Sequence, residues 1–145
     1  MYMNVGIFLP KARPRPFILD GIAEYRKRLS KICDLRVSYG DGHKNEPPRG
    51  AVRSVLNVLI SGGAGSRDMT SEEFAAWIQA ALNRSVSGFA FWIPESGEKP
   101  DKPAAAWDEA IRLTYIETDW DLTALILAEQ VYRAFMILGG SAYHK

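Results

Sequence analysis

One cysteine, two histidines and no long apolar run set the first limits on this chain. Cys33 has no second cysteine to pair with, so no internal disulfide is available; it reads as a small apolar residue on a helix end. His43 and His144 leave too few ligands for a zinc site, which takes about four. A membrane helix needs about 18 consecutive apolar residues, and no such run occurs. The N-terminal stretch MYMNVGIFLPKARPRPF places basic residues after a short apolar run, the reverse of a secretory signal. A cytoplasmic location is therefore expected. No internal repeat or low-complexity segment is visible.

What is present suits one globular domain spanning residues 1–145, with 47% hydrophobic and 24% charged residues. The formal charge is only +1, but it is unevenly spread. Residues 1–60 hold eleven Lys/Arg against five acids, and the remainder holds seven against twelve. A basic half attracts a phosphate backbone. It is equally what a solvated helix face looks like.

Hydrophobic periodicity predicts strands alternating with helices. Strands are expected at Met3–Leu9, Leu35–Tyr39, Val55–Ile60, Gly88–Ile93 and Leu113–Ile116. Helices are expected from Phe17 to about Cys33, from the Thr70–Glu73 capping box to Asn83, over Ala104–Ile111, and from about Leu122 to Leu138. The last helix is apolar around most of its circumference, and Gly139 and Gly140 end it. Such a helix is buried on more than one side, and in a small chain a partner subunit supplies the second cover. The alternation gives an α/β fold with a mostly parallel sheet flanked by helices.

In such sheets ligands bind beyond the carboxyl ends of the strands. Two loops fall there. Ser61–Ser66 is rich in glycine, which permits close backbone approach to an anion, yet it matches no phosphate-binding fingerprint. Pro94–Glu98 is acidic, and with Asp101 it reads as a solvated loop rather than a metal site. Serines and a near-terminal His144 define no hydrolytic triad.

The C-terminus is the informative part. Glu129-Gln130-Val131-Tyr132-Arg133-Ala134-Phe135, with the closing Tyr143-His144-Lys145, resembles the RlmH family of SPOUT-class methyltransferases. Glu24-Tyr25-x-Lys27-Arg28-Leu29 and Ser71-Glu72-Glu73-Phe74-Ala75 are similar to two further family segments, so the likeness covers almost the whole chain. The stretch between Leu29 and Leu59 looks about a dozen residues short by family habit. The resemblance implies a C-terminal trefoil knot and a homodimer formed through the C-terminal helix. It also implies S-adenosylmethionine as cofactor and N3 of a pseudouridine in large-subunit ribosomal RNA, or the ribosome, as partner. No membrane, DNA or metal is implied. Cofactor contacts would fall on Gly62, Pro94, Glu95, Thr114, Tyr115, Ile116, Glu117, Thr118 and Asp119. His144 would act as base or base-orienting group beside Tyr143, and Arg26, Lys27, Arg28 and Lys145 would hold RNA phosphates.

Departures from the family pattern fall on the pocket wall. Its IGG loop is Ile93-Pro94-Glu95 here, and its Pro-His pair is Asp119-Trp120. Its next arginine aligns with Ala124, and its leucine after the third strand with Gly62. Proline removes a backbone donor, while Glu95, Glu117 or Asp119 would favour a cationic sulfonium. Two readings follow: a methyltransferase, or a catalytically inactive RNA- or ribosome-binding dimer on the same scaffold. A third, weaker reading repurposes the Gly62–Gly65 loop for another small ligand.

Overall fold

Alternating burial along one strand shows how the sheet is built. In β1 (Met3–Phe8), Met3, Val5 and Ile7 are buried on one face, while Asn4, Gly6 and Phe8 point to the other. The computed structural model describes residues 3–9, 13–39, 55–60, 66–94, 107–114 and 118–139. The remaining elements are α1 (Pro16–Leu29), β2 (Cys33–Ser38), β3 (Val55–Ile60), β4 (Arg67–Asp68), α2 (Ser71–Asn83), β5 (Gly88–Trp92), β6 (Glu109–Arg112) and α3 (Trp120–Leu138). The strands form one sheet in the order β2-β1-β5-β3-β6-β4, and every pairing is parallel. All their carboxyl ends therefore lie on one edge.

All three helices pack on the face formed by Val5, Ile7, Leu35, Val58, Phe89, Phe91 and Ile111. α1 begins at Pro16, where the missing N–H is no loss and φ is already helical. Its buried residues are Ile18, Ile22 and Leu29. The reciprocal Thr70–Glu73 capping box starts α2: Glu73 N donates to Thr70 Oγ1 at 3.1 Å, and Thr70 N donates to Glu73 Oε1 at 2.9 Å. α3 lies against both other helices and buries Ala124, Leu127, Ala128, Val131, Ala134 and Phe135. The opposite sheet face holds Leu59, Ala90, Trp92 and Trp107 with Phe8 stacked on Trp92 at 4.3 Å. Among the described residues no helix lies on that face.

The α/β class and parallel sheet agree with the sequence reading, but several boundaries do not. The first helix stops at Leu29, not Cys33; Cys33 opens β2 fully buried, and burial pushes its thiol up to about 12. The Leu29–Cys33 spacing mimics a helical turn, whereas Cys33, Leu35 and Val37 alternate as a strand. The helix expected over Ala104–Ile111 is wrong from Glu109, where β6 pairs with β3; positions 104–106 lie outside the described residues. Sheet pairing there outweighs the helical preference of an alanine-rich stretch. Of the strand expected at Leu113–Ile116, Leu113 and Thr114 follow β6, which ends at Arg112, and Tyr115 and Ile116 lie outside the described residues. β4 is polar and exposed, so it has no hydrophobic signature; Arg112 holds it to β6 through Asp68 at 2.6 and 2.8 Å. α3 starts two residues before Leu122.

Gly88 marks a close backbone approach, since a Cβ there would sit 2.6 Å from the Asn4 carbonyl oxygen. Gly88→Ala is expected to destabilise by about 1–3 kcal/mol despite the better strand propensity of alanine. Urea unfolding of the pair of proteins checks this; equal midpoints would refute it.

Candidate active site

The carboxyl edge gathers the ends of β1, β5, β3 and β6. Ile93 N, just past β5, donates to Phe8 O at 2.9 Å, and Leu9 N donates to Ser38 O at 2.9 Å, so the edge is held in register. Pro94 leaves the end of β5 and Thr114 leaves the end of β6, with β3 between them. At ordinary strand spacing that separates them by roughly 10 Å. Thr118 and Asp119 lead into α3 at the same edge. Thr118 Oγ1 and Thr123 Oγ1 are 2.7 Å apart, and Thr123 Oγ1 donates to Asp119 O at 2.9 Å. This fixes the entry to α3, where Asp119 as N-cap makes no side-chain capping bond.

The corner is tied by a pair that sequence reasoning missed. Asp121 is the buried charged residue of the described core, at 3% exposure. Arg15 donates Nε to its Oδ2 and Nη2 to its Oδ1, both at 2.8 Å, and Arg15 N donates to Oδ2 at 3.1 Å. The bidentate fork is the strong geometry for guanidinium and carboxylate. It holds the Asp121 carboxyl down at about 2, mainly through the Arg15 side-chain hydrogen bond. Asp119 lies 3.5 Å from the same guanidinium with its carboxylate 72% exposed. The available signal was an aspartate in the first turn of an otherwise apolar helix face, opposite an arginine flanked by two prolines.

Of the expected cofactor residues, Pro94, Thr114, Thr118 and Asp119 are described and lie on this one edge. Gly62, Glu95, Tyr115, Ile116 and Glu117 lie outside the described residues, as do Tyr143, His144 and Lys145. Arg26, Lys27 and Arg28 sit in the last turn of α1. That 14-residue helix runs about 21 Å back from the carboxyl edge, so a single chain does not bring them to the corner. Arg26 Nη2 reaches Asp34 at 3.7 Å, Arg28 Nε reaches Glu24 at 3.0 Å, and the Arg28 guanidinium lies 5.8 Å from the Tyr132 ring centroid. Arg133 pairs with Glu129 at 3.0 Å, the structural i,i+4 arrangement.

A groove of about 460 Å³ runs between α1 and α3, lined by Gly21, Tyr25, Arg28, Leu122, Leu125 and Ile126. Among the described residues it is a side of α3 left partly open, since Leu122, Leu125 and Ile126 are only partly buried. No described helix is long and apolar enough to cross a membrane.

A family model described as predicted SPOUT methyltransferase matches residues 3–144. The chain belongs to the SPOUT methyltransferase family. Similar proteins include Ribosomal RNA large subunit methyltransferase H of Latilactobacillus sakei, 30% identical over 99% of this chain and 100% of that protein. The protein of the same name from Pediococcus pentosaceus is 29% identical over 99% and 100%. That from Prochlorococcus marinus is 30% identical over 90% and 88%. The alignment with the first runs over 160 positions against 145 residues here, in keeping with a chain shorter than that relative. Trp120 is partly buried against the core and Ala124 is fully buried.

The Arg15–Asp121 pair generates a prediction. Asp121→Ala should cost about 1.5–3 kcal/mol, measured by urea unfolding, because it removes charge-assisted hydrogen bonds to a buried carboxylate while the guanidinium left behind is half exposed to water. In the wild type the pair's contribution is complete above roughly pH 4, the ordinary aspartate range, and fades as pH falls through about 2. Asp121→Asn should remove that step from the acid-unfolding curve. An unchanged curve would show that the pair does not stabilise the fold.

Proposed function

We propose that this chain is an S-adenosylmethionine-dependent methyltransferase of large-subunit ribosomal RNA that works in the cytoplasm as a homodimer, its C-terminal segment threaded into a trefoil knot. The near full-length likeness to proteins named for that activity is the observation that supports it most. The chemistry of the described corner fits the cofactor. Asp119 offers an exposed carboxylate suited to a cationic sulfonium, and Pro94 offers an apolar ring without an N–H. Thr114 and Thr118 add hydroxyls at the same edge. Gly62, Glu95, Tyr115, Ile116 and Glu117 are the proposed remainder of that wall.

The cofactor supplies, when bound, an electrophilic methyl on a sulfonium. The chain's part is to hold the acceptor ring in line and to take its proton. His144 would take the proton that the acceptor N3 imide must lose, an imidazole being able to accept one near neutral pH. Tyr143 stacks on or hydrogen-bonds the base and orients it. Lys145 and the Arg26–Arg28 turn bind phosphates.

The α1–α3 groove is the proposed dimer seam, since it exposes the apolar side of α3. A two-fold axis crossing it pairs α1 antiparallel with its copy. That arrangement sends the Arg26–Arg28 turn of one protomer toward the carboxyl edge of the other, which answers the separation of about 21 Å within one chain.

Three measurements test the reading. Titration calorimetry should show saturable S-adenosylmethionine binding; no heat and no thermal shift at millimolar cofactor would defeat the enzyme reading. His144→Ala should lower methyl transfer to ribosomal RNA by about a hundredfold or more with cofactor binding retained; full activity would remove His144 from the mechanism. Ile126→Glu should convert a dimer to a folded monomer in sedimentation, and a wild type that already sediments as a monomer would defeat the seam.

A further inference from the structure

Phe17 stands out on the described surface. It is 57% exposed, and among the described residues only Tyr39, at 36%, is also an exposed large hydrophobic. A single exposed apolar side chain is ordinary, but this one is held with unusual care. It follows Arg13-Pro14-Arg15-Pro16, so two proline rings limit the backbone before it. Arg15 is extended, at φ −60° and ψ 147°. Its N–H and guanidinium are both fixed on buried Asp121, and the same guanidinium lies 5.0 Å from the Phe17 ring centroid. One ring face is thus backed by a cation that cannot swing away, and the residue remains more than half open to solvent.

The location adds a second argument. Phe17 is in the first turn of α1, at the carboxyl edge, and Arg15 links it directly to the Asp119–Asp121 corner. It lies one turn beyond Gly21, the nearest groove residue on α1, so it continues past the end of the groove toward the candidate site. Arg13 makes no ion pair among the described residues and leaves a free positive charge close by in sequence. An open, pre-ordered aromatic ring with free cationic charge nearby is the chemistry that receives an unpaired nucleobase and its phosphate.

We infer that Phe17 is a stacking shelf for an unpaired RNA base flanking the methylated nucleotide, with Arg13 on the adjoining phosphate. This rests on the RNA substrate proposed above and adds a recognition point to it. The Arg15–Asp121 fork acts through Phe17 as a positioning pair.

The test is fluorescence anisotropy of the full-length protein with a fluorescein-labelled RNA hairpin carrying an unpaired uridine loop, at several salt concentrations. Phe17→Ala and Phe17→Leu should each weaken binding about tenfold or more with the salt slope unchanged, while Phe17→Trp binds like wild type. Arg13→Gln should instead lower the slope by about 0.7. Wild-type affinity in both Phe17→Ala and Phe17→Leu overturns the shelf and leaves the RNA reading standing. A wild type that does not bind the hairpin overturns both. If Phe17→Ala loses RNA only together with the dimer in sedimentation, and Phe17→Leu keeps both, the occupant is a second copy of the chain and the shelf is overturned.

Discussion

Parallel pairing of every strand is the constraint from which the candidate site follows. Because β1, β3, β5 and β6 all run the same way, the chain leaves each of them at one edge. α1, between β1 and β2, and α2, between β4 and β5, carry the chain back on a single face of the sheet, and α3 packs on the same face. Segments far apart in sequence, around Pro94, Thr114 and Asp119, are thereby collected without any direct contact between them being required. The price is that such an edge is a row of loop beginnings, soft unless something pins it. Here the pin is Arg15 on Asp121, which joins the start of α1 to the start of α3 across 106 positions of sequence.

The same logic explains which parts were legible in the residues alone. Val55–Ile60 and Gly88–Trp92 are apolar runs bounded by glycine or turn residues, and both are strands at the expected places. The Thr70–Glu73 box starts α2 where its spacing says it should, because its hydrogen bonds are local and need no tertiary partner. The apolar breadth of α3 signalled burial on more than one side, and α1 and α2 cover much of it within the chain, where a partner subunit was the cover expected. What failed was non-local. Glu109–Arg112 is a strand because β3 and β4 lie on either side of it, and nothing within four residues says so. Arg67–Asp68 is held by charged side chains on β6, which no hydrophobic pattern records.

The site was legible by likeness more than by chemistry. Pro94, Thr114, Thr118 and Asp119, the described residues that the resemblance pointed to, lie at a common edge. The basic turn Arg26–Arg28 was readable as a charge cluster, but its distance from that edge was not, since helix direction relative to the sheet is a property of the fold. Two of its three cations also face acids from their own neighbourhood, Asp34 and Glu24. That tempers how much free charge the cluster presents and shifts weight to Lys27, which makes no ion pair among the described residues.

The departures from the family pattern take on a different meaning once packing is considered. An arginine at position 124 would enter the α1–α3–sheet core, where Ala124 is now fully buried, and a bare guanidinium there would be costly. Trp120 packs its indole against that core. The guanidinium at this corner is instead supplied by Arg15, from the loop before α1, and its counter-charge is Asp121, one position beyond Trp120. Charge at the corner is therefore present but arrives from a different element. Arg15 is half exposed and borders both Asp121 and the open Asp119 carboxylate, so substitution at one position of this corner alters the electrostatics of the other two. The folded corner shows a cation held against α3 from outside it.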